Sequence, residues 1–434
     1  MLIGIDASRA NRDHKSGTEW YSYYLIRWLA KLDSKNQYIL YTDKPLRSGL
    51  VDLTTAQHVC DLNIPESKVE FNKDGEQILK SPYNNFKAKV LKWPFIFFWT
   101  QGRLSLEMLF RRADILFIPA HTLPIIHPKK SIVTIHDIGF ERDRLLYERE
   151  PMGPEYKISR RIINFFVKLF TFGEYGANSL DYLSWSTKYA LEHAKKIIAV
   201  SNFSRNEILE VYGTEKNKVM LKDKMKVIYN GFNKFLYKKI EDKNKIKEVL
   251  AKYGISAPYI LYIGRLEKKK NTPALIEAFA MMRERNKNIK HKLVLVGDAS
   301  FGYDEVNYMI EEFLLDNEVV MPGWIEEIDM PYIYSAANVF VFPSLYEGFG
   351  IPLLQAMACE VPIVASLSAS IPEVTEDAAL LFEPLDIKAM SEAMGKIITD
   401  SKLREKLISR GRERVKDFSW EKCATQVLAE LESL

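Results

Sequence analysis

Two doubly wound α/β domains, each a parallel sheet covered by helices, are what this sequence predicts, and three observations predict them. At 434 residues the chain is too long for one ordinary core, and two domains of roughly 200 residues are the natural division. Its apolar runs are continuous rather than alternating, as in strands buried on both faces of a parallel sheet. The runs alternate with longer helix-like stretches, and the second half repeats the scheme of the first.

In the first half the strand candidates are LIGID (2–6), YILYT (38–42), DILFIPA (114–120), SIVTIHD (131–137), KIIAVS (196–201) and KVIYNG (226–231). Helical apolar spacing fills 18–32, with Gly17 just before it. In the second half the strands are YILYIGR (259–265), KLVLVGD (292–298), VFVFPS (339–344), VPIVAS (361–366) and ALLFEP (379–384). The Lys-rich stretch 233–257 follows Asn230-Gly231, ends at Pro258, and reads as a linker. That gives domains at 1–232 and 258–415, with a terminal helix over 416–434.

Composition narrows the function classes. With 47% hydrophobic and 27% charged residues the chain is globular rather than disordered. A net charge of +4 favours anionic small molecules or an acidic membrane surface and is too weak to argue for nucleic acid. The three cysteines, Cys60, Cys359 and Cys423, are far apart and form no CxxC pair, so neither a disulfide framework nor a zinc site is expected. The N-terminus lacks a signal-peptide pattern and no apolar run reaches a membrane span. A reducing, cytoplasmic setting is expected, at most peripheral on the inner face of a membrane.

In doubly wound sheets ligands bind beyond the carboxyl ends of the strands. After YILYIG comes Arg265, then Lys268, Lys269 and Lys270 at the start of a helix. The cluster reads either as a solvated loop or as a phosphate site, reinforced by the helix N-terminus. After VFVFPS comes SLYEGFGIPLLQAMA. Glu347 opens a loop in which Gly348 and Gly350 flank Phe349, Pro352 suits a first helical turn, and Gln355 lies one turn further on. Such a loop either joins a strand to a helix or presents its N–H groups to an anion.

The segments GRLEKKKN, LVLVGD, YSAANVFVFPSLYEGFGIPLLQAMAC and VPIVAS together resemble the retaining glycosyltransferases of family 4, which have the GT-B fold: two Rossmann-like domains facing across a cleft. The resemblance implies that Glu347 contacts the donor sugar and that Arg265 and Lys270 hold the nucleotide diphosphate. Gly297, Gly348, Phe349 and Gly350 belong to the matching donor-side segments. The loop at Trp324 and Ile325 resembles the one lining the nucleobase pocket, with Trp324 itself read as packing or as a base platform. The family carries a second Glu for the ribose hydroxyls. Here it is Gln355, which predicts weaker nucleotide binding, by about 1 kcal/mol. Glu360 stands where a glycine is usual. In the first domain Gly17 falls in the family's glycine-bearing loop, and TIHD matches the family's sugar-contacting histidine, here His136. Ser201, Ser204 and Asn230 are expected to shape the cleft floor. A family-like C-terminal helix would cross back to the first domain, anchored by Trp420.

The implied reaction moves a hexosyl group with retention from a nucleotide-diphosphate sugar, GDP-mannose or a UDP-hexose, to a hydroxyl of a growing glycan or lipid-linked glycan. The nucleotide sugar is a co-substrate; no other cofactor and no metal is expected, because the cations are side chains. Domain closure would exclude water. A catalytically weak sugar-nucleotide binder and a sugar-nucleotide epimerase of the same architecture stay open; a glycoside hydrolase is disfavoured by the amide at 355. Residues 157–170 form a basic amphipathic helix, with Ile158, Ile162, Ile163, Phe166, Val167 and Phe170 on one side. It either packs on the first domain or lies on an anionic membrane, and 89–99 raises the same choice.

Overall fold

The computed structural model describes residues 1–47, 49–53, 70–80, 82–94, 98–151, 161, 163–165, 167–168 and 173–434. The chain forms two compact units, one of Met1–Asn230 with Trp420–Leu434 and one of Gly231–Ser419.

Among the described residues, eight strands build the sheet of the first unit: β1 (Leu2–Asp6), β2 (Gln37–Thr42), β3 (Glu76–Gln77), β4 (Phe86–Val90), β5 (Ile115–Ile118), β6 (Ser131–Ile135), β7 (Lys196–Ala199) and β8 (Met225–Val227). Their order is β3-β4-β2-β1-β5-β6-β7-β8, parallel throughout except for the β3–β4 pair. The continuous apolar runs became the inner strands: every residue of β5 and β6 is buried. β4 was not visible in this way. Lys87 and Lys89 break its apolar run, as suits a strand near the edge, and Lys89 instead pairs with Glu107 at 2.5 Å.

The helix Gly17–Leu32 reaches β6 through Tyr21, whose hydroxyl lies 3.0 Å from that of Thr134. Ser16 and Glu19 form a capping box at its start, and Tyr21, Leu25 and Ile26 are buried along it. The C-terminal helix Trp420–Glu432 packs on this helix: the Trp420 ring stacks on Tyr24 at 5.4 Å and meets Tyr21 edge-on at 6.0 Å. An ion pair of Lys196 with Glu430 ties down its far end.

In the second unit six described strands, β9 (Tyr259–Ile263), β10 (Lys292–Val296), β11 (Val319–Gly323), β12 (Val339–Phe342), β13 (Ile363–Ser366) and β14 (Ala379–Phe382), run parallel in the order β11-β10-β9-β12-β13-β14. The core on one face gathers Tyr262, Phe279, Leu293, Val341 and Met394. Residues 233–257 belong to this unit rather than standing between the two. They carry the helix Lys243–Lys252, held by Lys252 to Asp329 at 2.7 Å and by the Tyr253 hydroxyl to Asp329 at 2.8 Å.

Of the amphipathic stretch 157–170, residues 157–160, 162, 166, 169 and 170 lie outside the described residues, so the choice between packing and membrane contact is not drawn there. In 89–99, Leu91 is buried and its carbonyl accepts from the Trp99 indole at 3.0 Å. No described helix is long and apolar enough to cross a membrane.

Candidate active site

The strand order sets where a site can form. In the second unit the chain lays β10 and β11 on one side of β9, then crosses to add β12, β13 and β14 on the other. β9 and β12 are therefore adjacent, with Val339 opposite Ile260 and Phe340 opposite Leu261. The loops leaving their carboxyl ends part at the switch point, where open α/β sheets bind ligands. One loop carries Arg265 and Lys270, the other Glu347.

These loops are bonded to each other. The Leu345 N–H donates to the Lys269 carbonyl at 2.9 Å. The Lys270 ammonium donates to Glu347 Oε1 at 2.5 Å, with both side chains largely buried, and lies 5.9 Å from the centre of the Phe342 ring. Lys270 closes a short 3₁₀ turn, Lys268–Lys270. Asn271 follows in the left-handed region and its side chain donates to the Pro384 carbonyl at 2.9 Å, before the helix Thr272–Arg285 begins. Arg265 is exposed, and among the described residues its guanidinium has no ion-pair partner.

The Glu347 loop is fixed from beneath by serines the sequence reading did not single out. Ser366 and Ser368 donate to the Ser344 carbonyl at 2.6 and 2.8 Å, and the Ser370 hydroxyl donates to the Glu347 carbonyl at 2.9 Å. The signal was present in SLSAS, directly after the VPIVA run. The Ser344 hydroxyl is buried without a hydrogen-bond partner among the described residues. Gly348 and Phe349 are buried, and Phe349 meets Phe418 edge-on at 5.7 Å. Gly350 has φ +99°, and a Cβ there would come 2.9 Å from Leu353, so only glycine starts the helix Ile351–Ala358 in this way.

Gln355 is half-buried, and its Oε1 accepts from the Tyr334 hydroxyl at 3.1 Å. The amide is thus oriented with its oxygen toward a buried phenol and its NH₂ left to donate. Tyr334 is a second residue that the sequence reading missed. Gly297 ends β10 at φ +140°; a Cβ there would lie 2.0 Å from the Gly264 carbonyl, so the glycine lets two strand ends close on each other. Ile325 is buried. Trp324, in the loop after β11, is 43% exposed.

In the first unit the order reverses between β1 and β5. Asp6, at the end of β1, accepts from the Ser8 N–H and hydroxyl at 3.0 and 2.6 Å, and burial raises its pKa. Arg9 follows, 3.4 Å from Glu19. His136 follows β6. Its Nε2 lies 2.9 Å from the Pro119 carbonyl, which makes that nitrogen the N–H donor, and Tyr21 meets the ring edge-on at 4.8 Å. Burial lowers the His136 pKa below its ordinary 6.5, so the ring is neutral near pH 7. Ser201 caps the helix Asn202–Val211, and the Ser204 hydroxyl donates to the His136 carbonyl at 3.2 Å. Asn230 is buried, its Oδ1 without a hydrogen-bond partner among the described residues. Gly17 is the first residue of its helix, and a Cβ there would meet nothing within 4 Å. Steric fit therefore does not demand a glycine at 17.

The β9/β12 switch point thus brings together a cation, a carboxylate and a glycine-started helix. The family model for glycosyl transferases group 1 matches residues 242–414. O-antigen chain mannosyltransferase B of Escherichia coli is 31% identical over 334 residues, 75% of this chain and 82% of that protein. The capsular polysaccharide biosynthesis glycosyltransferase CapM of Staphylococcus aureus is 31% identical over 254 residues, 57% of this chain and 63% of that protein. The chain belongs to the group 1 glycosyltransferases. Among solved structures, sucrose-phosphate synthase from Thermosynechococcus elongatus superposes with a TM-score of 0.69 at 19% identity, covering 100% of this chain and 98% of that one. Anabaena HepE, solved with UDP and glucose, gives 0.66 at 18% identity over 100% and 99%. At these identities the structures show the shared GT-B fold.

Proposed function

We propose that this glycosyltransferase is a retaining hexosyltransferase of family 4 that extends a bacterial-type polysaccharide, drawing on GDP-mannose or a UDP-hexose. The observation that carries the reading is the Lys270–Glu347 pair at the β9/β12 switch point, beside exposed Arg265. Departure of the nucleoside diphosphate develops negative charge. Lys270 has three N–H donors. One is spent on Glu347, which leaves two for phosphate oxygens, and Arg265 adds a bidentate fork. Such preorganised donors are each worth about 3 kcal/mol in the transition state. With those cations in place the reaction is proposed to run without a metal. Glu347 orients the sugar and favours its oxocarbenium-like state, and neutral His136 contacts a sugar hydroxyl. The leaving phosphate takes the acceptor's proton. Gln355 meets the ribose, Gly297 and Gly350 let backbone approach the diphosphate, and the loop at Trp324 and Ile325 lines the base.

The relatives named as mannosyltransferases, one of them of the O-antigen chain, support a mannosyl donor and a glycan acceptor. The test is product formation from a panel of nucleotide sugars in EDTA, with the new anomeric configuration read by NMR. Transfer with the donor's configuration supports the proposal. Inversion, or a strict metal requirement, contradicts it. A catalytically weak sugar-nucleotide binder is the second reading, favoured by the amide at 355. Tight donor binding without transfer or hydrolysis would select it, and conversion of the donor without an acceptor would select the epimerase.

A further inference from the structure

One edge of the first unit carries two features that the proposed reaction does not use. Strands β5, β6, β7 and β8 are neighbours in the sheet. Each is entered at its amino end through basic residues: Arg111 and Arg112 before β5, Lys129 and Lys130 before β6, Lys195 before β7 and Lys224 before β8. All are exposed except half-buried Lys224. Neighbouring strands lie about 4.8 Å apart, so these cations form a row on the order of 15 Å long. Burial, and then the charge of Lys195, lower the Lys224 pKa, while Glu192 acts against them. Of the other acids here, Asp114 before β5 already accepts from the Leu2 N–H at 2.8 Å, and exposed Asp223 stands beside Lys224.

The second feature is apolar. The helix Ser105–Phe110 runs into this row. It buries Met108 and Glu107 and turns the other face outward, with Leu106, Leu109 and Phe110 exposed by 43, 50 and 79%. Their spacing puts all three on one side of the helix. Ile125, 52% exposed, borders them, since its N–H donates to Gln101 at 3.0 Å and the next N–H, of Ile126, to Ser105 at 3.4 Å. Half-buried Tyr189 extends the patch, its hydroxyl donating to the Ile125 carbonyl at 2.9 Å.

We propose that this edge docks on an anionic lipid bilayer. Leucine and phenylalanine side chains can sink to the boundary of headgroup and acyl chain while the row of Arg and Lys holds anionic headgroups. Tyrosine suits the same depth. A second copy of this chain is the poorer occupant, because a two-fold contact would bring the same basic edge against itself.

The test is co-sedimentation of the full chain with vesicles of phosphatidylcholine alone and of phosphatidylcholine mixed with phosphatidylglycerol. The wild type is expected to sediment only with the mixed vesicles. Arg111→Glu/Arg112→Glu and Leu109→Glu/Phe110→Glu should each lower the partition coefficient about tenfold or more. A control reversal on the second unit, Lys402→Glu/Lys406→Glu, should leave it unchanged, and all variants should melt near the wild type. Indifference to phosphatidylglycerol, or variants that sediment like the wild type, overturns the proposal. So does a doubled mass in light scattering that the same substitutions abolish, which would assign the edge to self-association. Vesicle binding is read without turnover, so it stands or falls apart from the proposed reaction.

Discussion

Lys270 and Glu347 sit 2.5 Å apart with little water around them. Removing one partner of such a pair leaves the other uncompensated, at about 3–5 kcal/mol, so alanine at either position confounds stability with chemistry. Glu347→Gln keeps a hydrogen-bond acceptor for Lys270 and removes the charge. It should lower kcat about 10²-fold or more while the nucleotide's dissociation constant changes little; an unchanged kcat would take Glu347 out of the mechanism. Gln355→Glu keeps an oxygen for the Tyr334 hydroxyl and restores a charged acceptor. Nucleotide affinity by calorimetry should rise by about 1 kcal/mol, and a fall would show that the NH₂ group is what the ligand uses. His136 supplies a pH signature. Its pKa is lowered by burial from 6.5, so just below that pH the unfolded chain binds more protons than the folded one. Stability is therefore complete above about pH 6.5 and is lost as pH falls from there toward the folded value. His136→Gln should flatten part of the decline in melting temperature between about pH 7 and pH 5.5; an identical slope would contradict the assigned burial effect.

Strand ends and loops decide how these residues come together. Gly297 shows the constraint most sharply: φ +140° and a 2.0 Å approach to the Gly264 carbonyl leave no room for a methyl group. Gly297→Ala should cost at least about 2 kcal/mol in denaturant unfolding and reduce donor binding with it. Much of this level was legible in the sequence. Inner strands are long apolar runs because both faces are covered, so β1, β5, β6, β9, β10, β12 and β13 announced themselves, and with them the loops that carry Arg265, Lys270 and Glu347. β4 did not, because Lys87 and Lys89 give an edge-type strand a polar face. The contact of Lys270 with Glu347 spans 77 residues and follows from the crossover that sets β12 beside β9, which no local pattern encodes. The serine tethers under Glu347 and the Tyr334 hydroxyl on Gln355 were hidden for the same reason: each is a contact between separate elements.

The chain as a whole builds its first unit from both ends of the sequence. Helix Trp420–Glu432 completes it, with Trp420 fully inside against Tyr21 and Tyr24. Trp420→Ala should destabilise the first unit by about 3–5 kcal/mol and leave the melting of the second nearly untouched. A uniform loss across both transitions would contradict the division into units. The account as a whole rests on fixed positive charge meeting the diphosphate as it leaves. Lys270→Gln is the most direct trial, since the amide can still donate to Glu347 but carries no charge. Measured with saturating GDP-mannose, or whichever donor the panel selects, kcat should fall about 10²- to 10³-fold in protein that stays folded at the assay temperature. A kcat within about twofold of the wild type would contradict the central claim.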